Sequence, residues 1–205
     1  MLDEHDQLIV IRGLRDGRRD AWTALYDGYS TEVWRYVGRL IGASGADVGD
    51  VVQETFLAAA CAARQFDSSR GSLWCWLAGI AHHQAAVHWR KQARGDRLKA
   101  LAESGAIEMR EWWAGSAPVD DVLEQHESAE IIRGVLSELP AEYAALLTAK
   151  YLDEQSLGEL AARFGGSVEA IKSKLARARR EFREKFESLT REPKPVLRES
   201  RDAQA

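Results

Sequence analysis

The sequence lacks several features that would assign it to common classes of protein. No run of apolar residues approaches the ~20 that a membrane-spanning helix needs, and the acidic residues 1–6 contain no apolar signal core. Only two cysteines, Cys61 and Cys75, occur in 205 residues. They form no CxxC pair, which argues against a zinc ribbon and against a disulfide framework. We therefore expect a cytoplasmic protein with no membrane insertion.

Proline and alternating β-branched residues are also scarce, and their scarcity favours helices. The chain has four prolines and almost no run of strand-like alternation. We predict an all-α protein of two small helical domains joined by a flexible linker, the C-terminal one a helix-turn-helix. The predicted helices cover residues 7–14, 20–41, 46–64, 72–92, 120–139, 141–152, 157–164 and 168–186. The predicted domains are 1–92 and 120–186, with a linker at 93–119 that holds helical pieces near 98–101 and 108–113, and a disordered tail at 187–205.

Acidic and basic residues are nearly balanced overall, but they are unevenly distributed. The formal net charge is −4. Residues 167–185 nevertheless hold seven basic and three acidic side chains, whereas residues 99–127 hold two basic and seven acidic ones. Since local charge decides where DNA can bind, the basic C-terminal segment is a candidate for a DNA contact.

Two short helices and a glycine turn near the C-terminus form the pattern of a helix-turn-helix. Ser156 and Glu159 match a capping box, the pair Gly165-Gly166 permits a tight turn, and Ser167 can cap the next helix. Basic side chains fall outside the apolar stripe of that helix: Lys172, Lys174, Arg177 and Arg179. A basic second helix matches docking in the major groove. The alternative is a helical hairpin with a solvated basic face.

One face of the predicted third helix is acidic. At about 100° per residue, apolar residues gather on one side of this helix. The other side gathers Asp47, Asp50, Gln53, Glu54 and Leu57. The functional interpretation is a docking surface for a basic partner, with Leu57 as its apolar anchor. The alternative is an ordinary solvated face.

The predicted fourth helix combines aromatic and basic residues. Opposite its broad apolar side lie His82, Trp89 and Arg90. Aromatic and basic side chains together can stack on unpaired bases and bind phosphates, although a half-buried Trp89 is an equally good interpretation. A metal site, or an enzyme that uses His82, His83 and Cys75, is disfavoured because adjacent histidines point about 100° apart on a helix.

Three motifs in this order resemble bacterial RNA polymerase sigma factors of the sigma-70 family, in the extracytoplasmic-function (ECF) subfamily. Residues 47–56, DVGDVVQETF, are similar to the family's core-polymerase-binding motif. Residues 76–83, WLAGIAHH, followed by Trp89-Arg90-Lys91, are similar to the helix that melts and reads the −10 element. Residues 136–140, LSELP, and 156–179 are similar to the domain that reads the −35 element.

The resemblance implies roles for individual residues. Core polymerase would be bound by Asp47, Asp50, Val51, Gln53, Glu54 and Leu57. The −10 element would be bound by Phe66, Ser69, Arg70, Trp76, His82, His83, Trp89, Arg90 and Lys91. The −35 element would be bound by Ser167, Lys172, Ser173, Lys174, Arg177, Arg179 and Arg180.

The resemblance also implies partners. The protein would bind core RNA polymerase and promoter DNA, direct transcription initiation, and be regulated by an anti-sigma factor. It would have no catalytic residue, metal, cofactor or small-molecule substrate of its own. The alternative is an autonomous helix-turn-helix transcriptional regulator that binds an operator as a dimer.

Overall fold

A computed structural model describes the backbone of residues 4–42, 45–103 and 120–190, and the side chains of residues 6–42, 45–92 and 129–188. Within these ranges the protein is all-helical. The helices are α1 Glu4–Arg15, α2 Arg19–Ile41, α3 Gly45–Ala62, α4 Leu73–Glu103, α5 Asp120–Glu138, α6 Ala141–Tyr151, α7 Leu157–Phe164 and α8 Val168–Thr190. Two 3₁₀ turns, Ala63–Gln65 and Ser68–Arg70, connect α3 to α4. None of the described helices is both long enough and apolar enough to cross a membrane.

The first four helices form an N-terminal bundle around α2. One stripe of α2 is buried because its apolar residues recur at helical spacing: Leu25, Tyr29, Val33, Val37 and Leu40. Helices α1, α3 and α4 all pack against α2. Trp74 of α4 lies between Tyr29 and Tyr36, with ring centroids 6.5 and 6.0 Å away. These aromatic contacts fix the start of α4 against α2.

The last four helices form a C-terminal bundle that contains the predicted helix-turn-helix. The predicted capping box is present, since the Glu159 carboxylate accepts a hydrogen bond from the Ser156 backbone N–H at 2.8 Å and the Ser156 hydroxyl accepts one in return. Helix α7 ends at Phe164, and the next residue, Gly165, has a φ of 79° that would be strained for other residues. Ser167 Oγ then accepts a hydrogen bond from the Ala170 backbone N–H at 3.2 Å. These caps and the glycine together fix the turn from α7 to α8.

The two bundles pack against each other along α4. Helices α5, α6 and α7 contact α4, and α5 and α6 also contact α2. Buried side chains of both bundles form one apolar cluster, which extends from Val10 in α1 to Ala178 in α8. The described part of the protein therefore has one continuous core, although its helices form two bundles.

Most predicted helices agree with the structure to within a few residues, and α7 agrees at both ends. The predicted end of the fourth helix near residue 92 is wrong, because α4 continues to Glu103 through the predicted start of the linker. Gly95 costs a helix only ~1 kcal/mol relative to alanine, and good helix formers surround it. Likewise, α8 continues to Thr190, into the predicted tail. The predicted piece at 98–101 is part of α4, whereas the piece at 108–113 and residues 191–205 lie outside the described residues.

Candidate functional surfaces

Helix α3 carries the predicted acidic face. Asp50, Gln53, Glu54 and Leu57 follow one another at helical spacing and are all exposed, with 54% of Leu57 accessible. Asp47 lies one turn earlier and is half-buried. The carboxylates can attract a basic partner, and the exposed leucine beside them provides apolar area that is buried on binding.

Val51 does not belong to this face, contrary to the prediction. Its side chain is only 5% exposed and lies in the core with Val48 and Val52. The reason is the helical rotation of about 100° per residue, which turns Val51 inward when Asp50 points outward. Val51 therefore supports the acidic face from beneath and cannot contact a partner directly.

An aromatic groove that was not predicted from the sequence lies beside the acidic face. The groove has a volume of about 500 Å³ between α2 and α3, and its walls include Trp22, Tyr26, Trp34, Phe56 and Leu57. The rings of Tyr26 and Phe56 are 4.9 Å apart. Tyr26 and Trp34 are about half-exposed. The sequence does contain a sign of this groove. Every fourth residue from Trp22 to Trp34 falls on one stripe of α2, namely Trp22, Tyr26, Ser30 and Trp34.

The segment before α4 contains three of the predicted −10 residues. Phe66 is buried and packs on Trp76, with ring centroids 5.2 Å apart. Asp67 accepts hydrogen bonds from the backbone N–H and the hydroxyl of Ser69, at 3.0 and 2.8 Å, and these bonds lower the pKa of its carboxyl. Arg70 is exposed at the end of the turn. Among Phe66, Ser69 and Arg70, only Arg70 carries a positive charge that can attract a phosphate.

The predicted −10 residues of α4 do not form one exposed surface. His83, Arg90 and Lys91 are exposed, whereas His82 is buried and Trp89 is half-buried. His82 Nε2 donates to the Leu136 carbonyl oxygen at 3.0 Å, and burial lowers the pKa of this imidazole. The indole N–H of Trp89 donates to the Leu40 carbonyl oxygen at 2.9 Å. Trp89 is therefore half-buried, and its indole N–H is already bonded within the N-terminal bundle.

Helix α8 presents most of the predicted −35 residues to solvent. The exposed ones are Lys172, Ser173, Arg177, Arg179 and Arg180. Arg179 donates to the Tyr151 hydroxyl at 3.2 Å, and Lys174 is half-buried in an ion pair with Glu142 of α6. Ser167 is the cap of α8 and holds its first turn. The exposed basic side chains therefore line one side of α8 and leave its apolar stripe in the core.

A cleft lies between the segment before α4 and the C-terminal bundle. Its volume is about 530 Å³, and residues of both bundles line it, including Phe66, Arg70, Trp76, Glu142 and Lys174. Predicted −10 and −35 residues thus face the same cleft. This proximity could not be predicted from the sequence, because the two groups are about 100 residues apart in the chain.

Comparisons with known proteins agree on one family. The model for "Sigma-70 region 2" matches residues 25–95, and the model for "Sigma-70, region 4" matches residues 129–182. The ECF RNA polymerase sigma-E factor of Escherichia coli strain K12 is 29% identical over 193 residues, which cover 91% of this chain and 96% of that protein. The ECF RNA polymerase sigma factor SigW of Bacillus subtilis strain 168 is 25% identical over 181 residues, which cover 87% and 96%.

Among solved structures, CnrH in complex with the cytosolic domain of CnrY is similar to the chain. The match has a TM-score of 0.45 and 20% identity, and it covers 89% of this chain and 98% of the other. The RsbN-BldN complex gives a TM-score of 0.33 with 22% identity over 85% and 97% of the two chains.

Proposed function

The chain belongs to the sigma-70 family of RNA polymerase sigma factors, in its ECF subfamily, and we propose that α3, α4 and α8 divide its work between them. As a member of this family it binds core RNA polymerase and directs it to promoters. In our assignment α3 binds polymerase, the segment before α4 and α4 itself bind the −10 element, and α8 binds the −35 element. Residues 1–92 and 120–186 would then be the two functional domains.

The exposed acidic face of α3 is the observation that carries this assignment. Asp50 and Glu54 would steer α3 toward a basic surface of polymerase, since opposite charges accelerate the encounter. Leu57 and the adjoining groove, with Trp22 and Trp34 in its walls, would receive apolar side chains of the same surface. An autonomous regulator has no use for such a face, so its presence favours the polymerase-bound function.

Helix α8 would enter the major groove of the −35 element. Its exposed side chains Lys172, Ser173 and Arg177 are of types that donate hydrogen bonds to base edges and phosphates. Arg180 lies further along the helix and would contact a phosphate. Such contacts release counterions, so binding of this part of the promoter would weaken as salt rises.

The −10 element would be bound as an unstacked single strand at the start of α4. Trp76 offers a ring for stacking, and Arg70, Arg90 and Lys91 offer charge for the phosphates. Unstacking a base costs a few kcal/mol, which stacking on a protein ring offsets. Promoter DNA is therefore a partner of both bundles in this proposal.

An anti-sigma factor is the further partner we propose. An apolar groove of about 480 Å³ lies between α5, α6 and α8, and its walls include Ile132, Leu147 and Phe182 beside Arg179 and Arg183. An amphipathic helix with acidic flanks fits an apolar groove with a basic rim. The chain itself would act in the cytoplasm beside polymerase and would catalyse no reaction.

The polymerase contact can be tested by reversing the charge of α3. We expect Asp50→Arg with Glu54→Arg to abolish co-purification with core RNA polymerase, because two attractive charges become repulsive. Both residues are exposed, so the helical content measured by circular dichroism should stay the same. Run-off transcription with core polymerase over a library of promoter sequences should fall to background in parallel.

The matched control is Asp16→Arg with Asp27→Arg. Both residues are exposed in the N-terminal bundle outside α3, and the change in net charge is the same. The control should bind polymerase as the wild type does. Unchanged binding by the α3 variant would refute the docking face, and tight binding of duplex DNA by the protein without polymerase would favour the autonomous regulator.

A further inference from the structure

We propose that Glu169, with Lys172 beside it, reads one C·G base pair of the −35 element, and that the Glu169 carboxylate selects the cytosine of that pair. Glu169 is not among the residues to which the sequence assigns a DNA contact, since it is acidic. This inference rests on the proposed placement of α8 in the major groove, and it adds the base that one side chain recognises.

The exposed face of α8 lies opposite the stripe that packs into the C-terminal bundle. The buried stripe of its first three turns consists of Ile171, Leu175 and Ala178. At about 100° per residue, the centre of the opposite face consists of four exposed residues, Glu169, Ser173, Ala176 and Arg180. Glu169 therefore lies in the middle of the surface that would enter the groove.

The Glu169 side chain also lies at the end of α8 that would come closest to the bases. Helix α8 begins at Val168, and in helix-turn-helix docking the N-terminal residues of the second helix contact base edges. The first turn is capped by Ser167, whose hydroxyl accepts a hydrogen bond from the Ala170 N–H at 3.2 Å. The Glu169 side chain is 80% exposed, so its carboxylate is accessible to DNA.

A carboxylate restricts the bases that Glu169 can contact, because it accepts hydrogen bonds and donates none. In the major groove cytosine presents the N4–H donor without an acceptor of its own. Thymine and guanine present acceptors, and adenine presents the N7 acceptor beside its N6–H donor. Next to any base other than cytosine, the negative charge therefore faces a lone pair. Glu169 should favour cytosine and oppose the other three bases.

Lys172 supplies the complementary donor for the other base of the pair. Its ammonium lies 4.0 Å from the Glu169 carboxylate, and both side chains are exposed. Guanine O6 is an acceptor that lies next to cytosine N4 in the groove, because the two groups are hydrogen-bonded within the pair. An acceptor beside a donor on α8 thus matches a donor beside an acceptor on the DNA. An exposed ion pair contributes little to stability, so both groups can turn toward the bases at small cost.

The test measures base preference by run-off transcription with core polymerase over promoters randomised through the −35 element. Wild-type protein should favour cytosine at one position by roughly fivefold or more. Glu169→Gln should shift the preference at that position toward adenine, since an amide can bond to both N6 and N7. Glu169→Ala should remove the preference there and leave the other positions unchanged.

Glu184 of the same helix provides the matched control. It is also an exposed carboxylate that lies 4.0 Å from a basic side chain, that of Arg180. Glu184→Gln removes the same charge near the other end of α8 and should keep the wild-type preferences. Glu169→Asp keeps a negative charge at the start of α8, where it favours the helix, but is shorter by one methylene. This variant should lose the cytosine preference, whereas a role in helix stability alone would let it behave as the wild type.

The pattern of base preferences separates this inference from the proposed function. If wild-type transcription depends on the −35 element and every Glu169 variant keeps all preferences, the role of Glu169 is refuted and the role of α8 stands. An equal loss of transcription from all promoters, without a change in preference, would also refute the role of Glu169. Wild-type transcription that is insensitive to every position of the −35 element would instead refute the proposed function of α8.

Discussion

His82 lies on the helix that carries candidate −10 residues, yet its ring faces the C-terminal bundle. A carbonyl oxygen can only accept a hydrogen bond, so Nε2 of His82 carries a proton in its bond to Leu136. Burial lowers the pKa of the ring, which means that the folded protein disfavours the doubly protonated form. A single side chain thus links the contact between the bundles to pH.

The direction of this pH effect follows from the lowered pKa. The neutral His82 ring contributes fully to stability above its unfolded pKa of about 6.5. This contribution is lost as the pH falls toward the lower pKa of the folded state. We expect the free energy of unfolding to fall more steeply between about pH 7.5 and 5.5 in the wild type than in His82→Gln, by at most ~1.4 kcal/mol per unit of pKa shift. The glutamine amide can donate a hydrogen bond but does not titrate. Urea unfolding at several pH values measures both slopes, and equal slopes would contradict the prediction.

Lys174 differs from the other basic residues predicted to bind the −35 element. Its ammonium is half-buried in an ion pair with the Glu142 carboxylate of α6, whereas Arg177 is exposed and Lys172 makes only an exposed, 4.0 Å contact with Glu169 of its own helix. A lysine in such a pair must break it before it can bind DNA. The free energy lost with the ion pair offsets part of the free energy gained from the new DNA contact. Among the predicted residues of α8, Lys172 and Arg177 are therefore the better choice for a test of DNA binding.

At the scale of the element, α8 should act as the reader of the −35 element. We expect Lys172→Ala with Arg177→Ala to reduce −35-dependent run-off transcription by tenfold or more, since each base or phosphate contact contributes roughly 1–3 kcal/mol. The dependence of promoter binding on salt should also become weaker.

Two comparisons make the α8 experiment specific. Arg12→Ala with Arg19→Ala, at exposed sites outside the proposed contacts, removes the same charge and should leave transcription unchanged. Wild-type protein should already lose activity on a template whose −35 element is scrambled. Equal transcription from intact and scrambled templates would show that α8 does not read this element.

Local patterns predicted the elements whose ends are marked by side chains. Ser156, Glu159 and Gly165 mark the limits of α7 in the sequence, and α7 agrees at both ends. Helix α4 has no such mark near residue 92, so its extension to Glu103 could not be predicted from composition. A glycine alone does not end a helix, because its cost is small compared with that of a proline.

Helical periodicity predicted the acidic face of α3 but not its surroundings. It places Asp50 outward and Val51 inward, whereas the resemblance of the whole motif implies a role for both residues. The groove beside Leu57 depends on Trp22 and Trp34, which come from another helix. Contacts between elements depend on packing, and one sequence contains no direct signal for them.

At the scale of the whole molecule, the continuous core should couple the unfolding of the two bundles. We expect the free wild-type protein to unfold in one calorimetric transition whose van't Hoff and calorimetric enthalpies agree. Arg39→Ala with Arg163→Ala removes the Arg39 contacts with Leu152 and Asp153 and the Arg163 cation over the Trp74 ring, so it should lower the van't Hoff enthalpy below the calorimetric one. Two resolved transitions in the wild type would contradict this coupling.

The shared core also links two properties on which selection acts. Trp74, Leu136 and Phe164 are buried where the bundles meet, so a substitution that improves packing there stabilises both bundles together. A substitution that weakens this packing would destabilise both bundles, and with them the polymerase-binding face of α3 and the basic side of α8, in one step. Selection on either surface would then act through the same side chains, so the stability of one surface could not change in evolution without that of the other.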